Sequence, residues 1–319
     1  MPGSATKLET HVGSVRFANP VLAASGCFGT GAEKLGTVDA TRLGAVVTKS
    51  MSAEPWPGNP PPRLVPVAGG GMLNAVGLQN PGVNAWREQA LPQLESAGVK
   101  LVASIWGRSA GEFCAAAQGV AREAERIEAV EVNLSCPNLE GSGELIAHDA
   151  QRSAEIVSSV CEIVAPLPVW AKLSPNVASP VPVAAAVLDA GASALVLVNT
   201  LIGMHIDVGR RAPHLANVTG GLSGPPLRPV AIRMVYECRE AFPEAAIVGV
   251  GGIVAAGHVV EFLVAGADAV EVGAAHFADP AAGVKIVRKL PRALRAAGFG
   301  SVAEAVSAAH TKASEGLPE

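Results

Sequence analysis

Several short apolar runs in this chain end on a polar or glycine residue. Read in order, those ends are Ser25-Gly26, Lys49-Ser50, Ser104, Asn133 through Cys136, Lys172, Asn199-Thr200, Gly251-Gly252 and Gly273. Cys136 directly follows the run Val130–Ser135 and precedes Pro137, which places it at the end of a strand and not inside a helix. A thiol at such a place can act as a general base or as a nucleophile. No histidine is spaced to pair with it, which disfavours a Cys–His hydrolase. Lys49 and Lys172 can steady an anion, stabilise a reduced flavin or form a Schiff base.

The glycines point to a second chemistry. Gly249, Gly251 and Gly252 end one late apolar run and Gly273 ends the next. Backbone N–H groups in such loops can cradle a phosphate, because glycine lets the chain approach an anion closely. GVGGI lacks the spacing of a dinucleotide fingerprint. His148, His205, His214 and His276 are isolated and no HxH or HExxH occurs, so no metal site is expected. His276 is expected to be a solvated loop residue. Cys114, Cys161 and Cys238 fall on helical stretches and read as packing residues.

These side chains need a scaffold that brings strand ends together. Eight strands are expected: 21–25, 44–50, 100–106, 130–135, 168–173, 194–200, 246–251 and 269–273. Most are nearly continuous apolar runs, as buried parallel strands are. Helical stretches lie between most of them: 84–95, 110–126, 150–163, 182–189, 229–241, 257–264 and 281–296. Gly98, Gly191 and Gly266 each stand between a helix and a strand, where a helix terminator belongs. Eight βα units indicate a single (β/α)8 TIM barrel, favoured over a doubly wound open sheet, with the active site at the C-terminal ends of the strands. Residues 8–20 read as a short N-terminal β-hairpin closing the barrel bottom. The Pro- and Gly-rich stretch 51–71 reads as a long ordered loop, one of several at the C-terminal face. The chain is expected to be one domain over 1–319, with flexible tails at 1–7 and 311–319.

Composition narrows the partners. With 49% hydrophobic and 16% charged residues, the chain can bury a large core. A net charge of -4 provides no basic field for nucleic acid or an anionic membrane. Five cysteines with no CxxC pair fit a reducing, cytoplasmic setting. The N-terminus has no apolar signal core, and no apolar run is long enough to span a membrane.

The segments ASGCFGTG (24–31), TKS (48–50), GNPPPR (58–63), NAVGLQNPG (74–82) and EVNLSCPN (131–138) occur in order. KLSPNV (172–177), NTLIGM (199–204), TGGLSGP (219–225), GVGGI (249–253) and VGAAHFADP (272–280) follow. Together they resemble the class 1 dihydroorotate dehydrogenases over about residues 8–296. NAVGLQNPG and NTLIGM are most like the B-type, NAD-linked catalytic subunit. The resemblance implies an FMN-containing barrel that oxidises dihydroorotate to orotate in pyrimidine synthesis.

By the same resemblance, Cys136 is the base that removes the C5 proton. Lys49, Asn74, Asn133, Asn199 and Thr200, with backbone of Gly77 and Leu78, hold the substrate. Ser25, Lys49, Ser50, Ser104, Asn133, Lys172, Val198 and Gly224 line the FMN, and Gly251, Gly252, Gly273 and Ala274 lie at its phosphate. Residues 137–148 correspond to a lid. A lowered thiol pKa suits the base, and Lys49 is a cation able to lower it.

Two departures stand out. Ser104-Ile-Trp106-Gly replaces the usual Asn-Val-Ala-Gly, and Ala274 replaces a usual threonine. Each removes a polar contact to the cofactor worth about 1 kcal/mol.

The B-type resemblance also implies a homodimer joined by a separate subunit carrying FAD and a [2Fe–2S] cluster, a heterotetramer that reduces NAD+. This chain has no cysteine cluster or dinucleotide fingerprint for those groups. A fumarate-linked enzyme is the alternative acceptor reading. A tRNA dihydrouridine synthase, another FMN barrel, is disfavoured by the acidic net charge.

Overall fold

Eight buried apolar runs form the parallel strands of a closed barrel: Val21–Ala23, Val46–Val47, Leu101–Ile105, Ala129–Asn133, Val169–Leu173, Ala194–Leu197, Ala246–Val250 and Ala269–Val272. Each strand pairs with its sequence neighbours and the eighth closes on the first, with Val270 opposite Val21. The structure is a computed structural model and describes residues 6–135 and 146–313. The TIM barrel expected from the sequence is the observed fold.

Side chains alternate along each strand. Val130 and Val132 pack outward with the helices, as do Val169, Ala171, Leu173, Val270 and Val272. The other set fills the barrel: Leu22, Val47, Val102, Ala129, Trp170, Val196, Val248 and Ala269. The hairpin Thr10–Val12 and Val15–Phe17 lies against this interior, as expected. Val12, Val15 and Phe17 are buried there, and Phe17 meets Trp170 edge-on at 6.1 Å between ring centroids. The bottom is thus plugged and the polar ends lie at the opposite mouth.

The long helices follow local rules. Ser109 caps Ala110–Ala121 by accepting from Glu112 N, and Asp149 caps Ala150–Val164 by accepting from Arg152 N. No helix among the described residues is long and apolar enough to cross a membrane.

Three expectations need correction. Residues 51–71 are not all loop. Leu64–Val67 is a strand, and with Gly71–Asn74, Thr219–Ser223 and Leu201–Met204 it forms a four-stranded antiparallel sheet over the barrel mouth. Lys7 and residues 311–313, expected in tails, belong to ordered backbone. Lys7 N donates to Gly300 O at 3.2 Å and Val302 N donates to Lys7 O at 3.0 Å, while a helix runs over Ala308–Ala313. His276 is not solvated. It is buried, with Nδ1 bonded to Val272 O at 3.0 Å and Nε2 accepting from Gly283 N at 3.1 Å. Of the cysteines expected to pack, Cys238 is buried, whereas Cys114 and Cys161 are half-buried.

Candidate active site

The barrel mouth and the antiparallel sheet enclose a cavity of about 1000 Å³. That is at the upper end of small-molecule sites, roughly 300–1,000 Å³, and offers room for two planar ligands. The residues expected to bind substrate converge on it: Lys49, Asn74, Gly77, Leu78, Asn133, Asn199 and Thr200. So do Ser25, Ser50, Lys172, Val198, Gly224, Gly251, Gly252, Gly273 and Ala274, expected at a cofactor. Cys136 and most of the segment 137–148, expected to act as a lid, lie outside the described residues.

Ser104 is the exception. It is fully buried and does not line the cavity. Its Oγ lies 2.9 Å from Ser50 Oγ and donates to Glu131 Oε1 at 3.0 Å. Ser104 therefore reaches the cavity wall indirectly, through Ser50 and through Glu131 to Lys172. Trp106 also lies off the cavity wall, packed edge-on against Trp56 at 5.7 Å. Trp56 in turn donates from Nε1 to Gly77 O at 3.0 Å. The bulk of Trp106 thus braces the turn carrying Gly77 and Leu78. Both residues of that turn have positive φ, 69° and 61°, and Leu78 lacks the glycine freedom that makes this comfortable.

Hydrogen bonds orient the asparagines. Asn133 donates to Ser50 Oγ at 3.1 Å and accepts from Asn199 Nδ2 at 3.0 Å. Asn199 Oδ1 accepts from Thr200 N at 2.8 Å. Asn74 donates to Gly221 O at 3.2 Å across the antiparallel sheet. Asn176, which the sequence reading passed over, donates to Thr200 O at 3.1 Å and accepts from Ile202 N at 2.7 Å. Its position in KLSPNV, three residues past a strand end, was the available signal.

The glycine wall has a steric reason. Gly252 has φ 68°, and a Cβ there would approach Gly224 O and Arg228 Cβ to 2.8 Å. Gly251 has φ 140°. Such a bare-backbone wall suits an anion, and it shares the cavity with hydroxyls, amides and two lysines. The donor set therefore fits a flavin mononucleotide.

Beneath this wall lies a charge cluster that sequence reasoning missed. Lys172 Nζ is 2.7 Å from Glu271 Oε2 and 3.3 Å from Glu131 Oε2, and all three residues are buried. Burial pulls the lysine pKa down, but the two carboxylates outweigh it and hold the ammonium charged. Burial and the neighbouring Glu131 push Glu271 well up. Burial also lifts the Cys27 thiol, on the cavity wall, to about 11, so it stays neutral. The signal was a lone Glu inside each of two apolar runs, AVEVN and AVEV.

Comparison with known proteins agrees with this geometry. A family model described as dihydroorotate dehydrogenase matches residues 7–294. The chain is 42% identical over 299 residues to the dihydroorotate dehydrogenase B (NAD(+)) catalytic subunit of Bacillus pumilus, covering 94% of this chain and 95% of that one. The protein of the same name from Geotalea uraniireducens is 42% identical over 301 residues, covering 94% and 97%. That from Geobacillus kaustophilus is 43% identical over 300 residues, covering 94% and 95%. With the cavity, the oriented amides and the near-complete match, this chain belongs to the dihydroorotate dehydrogenase family.

Proposed function

We propose that this chain oxidises dihydroorotate to orotate for pyrimidine synthesis. The observation that carries the reading is the convergence of Lys49, Asn74, Asn133, Asn199 and Thr200 on the same cavity as Lys172 and the glycine wall. An anionic pyrimidine carboxylate needs cationic and amide donors, and this rim supplies both. FMN, when bound, supplies the two-electron acceptor for the C6 hydride.

This chain's own residues do the rest. Gly251, Gly252, Gly273 and Ala274 hold the phosphate, and Ser25, Ser50, Val198 and Gly224 line the cofactor. Lys172 provides positive charge for the electron-rich ring. Asn133 and Asn199, locked to one another, orient the substrate face. Cys136 removes the C5 proton, which the adjacent carbonyl makes acidic, and Lys49 favours its thiolate.

The relatives are named catalytic subunits of NAD(+) enzymes, which supports a partner for electron disposal. In this reading a homodimer of the chain joins subunits carrying FAD and a [2Fe–2S] cluster, in the cytoplasm, and NAD+ is the final acceptor.

An anaerobic visible spectrum of the purified chain tests the reading. A flavin band that bleaches on adding dihydroorotate is the expected result. A band indifferent to dihydroorotate removes the substrate, and no band after reconstitution with FMN removes the cofactor.

A further inference from the structure

Three buried ionisable side chains meet inside the barrel, and one of them, Lys172, lines the cavity. Lys172 comes from the fifth barrel strand, Glu131 from the fourth and Glu271 from the eighth. The two glutamates are fully buried. One cation cannot neutralise two carboxylates in such a place, and like charges so close do not both ionise readily.

The hydrogen bonds show an asymmetry between the carboxyls. Glu131 accepts from Ser104 Oγ at 3.0 Å and from Lys172 through both oxygens, at 3.3 and 3.4 Å. Glu271 accepts from Lys172 through Oε2 alone, and its buried Oε1 has no donor. An ionised oxygen left that way is costly, whereas a protonated one can donate. Both carboxyls meet at the one ammonium, Lys172 Nζ, so a proton held on either relieves the excess negative charge of the pair.

We propose that Glu131 and Glu271 share one proton beside Lys172, and that this proton's occupancy follows the charge on the FMN proposed to bind against Lys172. The inference rests on that cofactor reading. Hydride from C6 carries two electrons and one proton to the flavin, leaving one added negative charge, while the C5 proton goes to the base. The charge raises the proton affinity of the carboxyl pair, and the proton that answers it comes from solvent. Its route is the hydroxyl chain from half-exposed Ser25 to Ser50 at 3.2 Å, Ser50 to Ser104 at 2.9 Å and Ser104 to Glu131. The other titratable group facing Lys172 and Glu271 is the neutral Cys27 thiol, on which the Lys49 and Lys34 charges also act. Glu131 and Glu271 are positioning residues, acting through Lys172.

The test is the midpoint potential of the FMN-reconstituted chain measured against pH. The shared proton has one affinity with the flavin oxidised and a higher one with it reduced. Between the two, reduction takes up two protons per two electrons instead of one, so the slope about doubles over that interval. Glu271→Gln and Glu131→Gln each leave a single slope throughout. A wild-type line of single slope, coincident with both variants while FMN stays bound, overturns the proposal. Infrared spectra of the flavin-free protein provide an independent readout. At neutral pH a protonated carboxyl band that shifts in D2O and disappears in Glu271→Gln is expected, and its absence overturns the shared proton. If no flavin binds, the cofactor reading falls and takes the redox coupling with it, while the infrared band still decides whether the proton is shared.

Discussion

Asn199 donates through Nδ2 to Asn133 Oδ1 at 3.0 Å, joining the ends of two barrel strands that are not neighbours. Since Asn133 in turn donates to Ser50, the bond fixes which edge of each amide faces the cavity. Asn199→Ala removes one proposed substrate donor and frees the other amide to turn. Hydrogen bonds to a charged group are worth about 1.5–3 kcal/mol, so KM for dihydroorotate should rise roughly 10- to 100-fold. Flavin content should hold, which absorbance checks alongside steady-state kinetics. An unchanged KM would remove Asn199 from the substrate site.

Cys136→Ala should retain FMN and lose most turnover. Removing a general base typically costs about 10²- to 10⁴-fold, and dihydroorotate-driven bleaching of the flavin in a stopped-flow measurement reads that step directly. Bleaching at the wild-type rate would eliminate the thiol as base.

The barrel was legible in the sequence because its strands are buried on both sides and read as continuous apolar runs. The antiparallel sheet was not. Its strands carry Pro66, Gly71, Gly203, Gly220 and Gly221, and Gly221 pairs with Asn74 far away in the chain. No local pattern announces such a pairing, and glycine and proline argue against a strand. Residues at strand ends, such as Lys49 and Asn199, were legible because a polar side chain after an apolar run marks the rim. Ser104 departs from the same rule: it ends a run in sequence but lies behind the cavity wall, bonded to Glu131. Glu131 and Glu271 were hidden in runs that otherwise fit a buried strand. His276 was misplaced because a short helix, Ala275–Ala278, turns it inward beside Phe28, at 4.8 Å between ring centroids.

Lys172 is the only counter-charge bonded to Glu271 among the described residues. Lys172→Met removes the cation from two buried carboxyls. Breaking a buried pair typically costs about 3–5 kcal/mol, and Glu271 already leans toward its neutral form, so the lower end is expected. Flavin reduction by dihydroorotate should slow at least about tenfold, equivalent to 1.4 kcal/mol. Denaturant unfolding reads the first effect and rapid mixing the second. A wild-type reduction rate in a folded variant would end the electronic role of Lys172.

Gly252 sits at φ 68° with Gly224 O only 2.8 Å from where a Cβ would be. Gly252→Ala should lower stability by about 1 kcal/mol or more, since alanine is strained at positive φ. It should weaken FMN more than substrate, because the glycine wall lies at the proposed phosphate end. Fluorescence titration of the flavin-free protein with FMN and with riboflavin separates the cases. Equal affinity loss for both ligands would mean that the wall does not read the phosphate.

Burial and the nearby Lys34 ammonium lower the His276 pKa from 6.5 to about 4. The unfolded chain therefore binds a proton at this residue that the folded chain refuses in that interval. Its stabilising contribution is complete above about pH 6.5, falls as pH drops through the interval and levels off near pH 4. The shift amounts to roughly 3 kcal/mol at about 1.4 kcal/mol per pKa unit. His276→Gln can donate to Val272 O and accept from Gly283 N, as the ring does, without titrating. Urea midpoints should therefore fall more steeply toward acid for the wild-type chain than for the variant. Parallel midpoint curves for the two proteins would place the acid sensitivity elsewhere, with the carboxyl pair of Glu131 and Glu271 the next group to test.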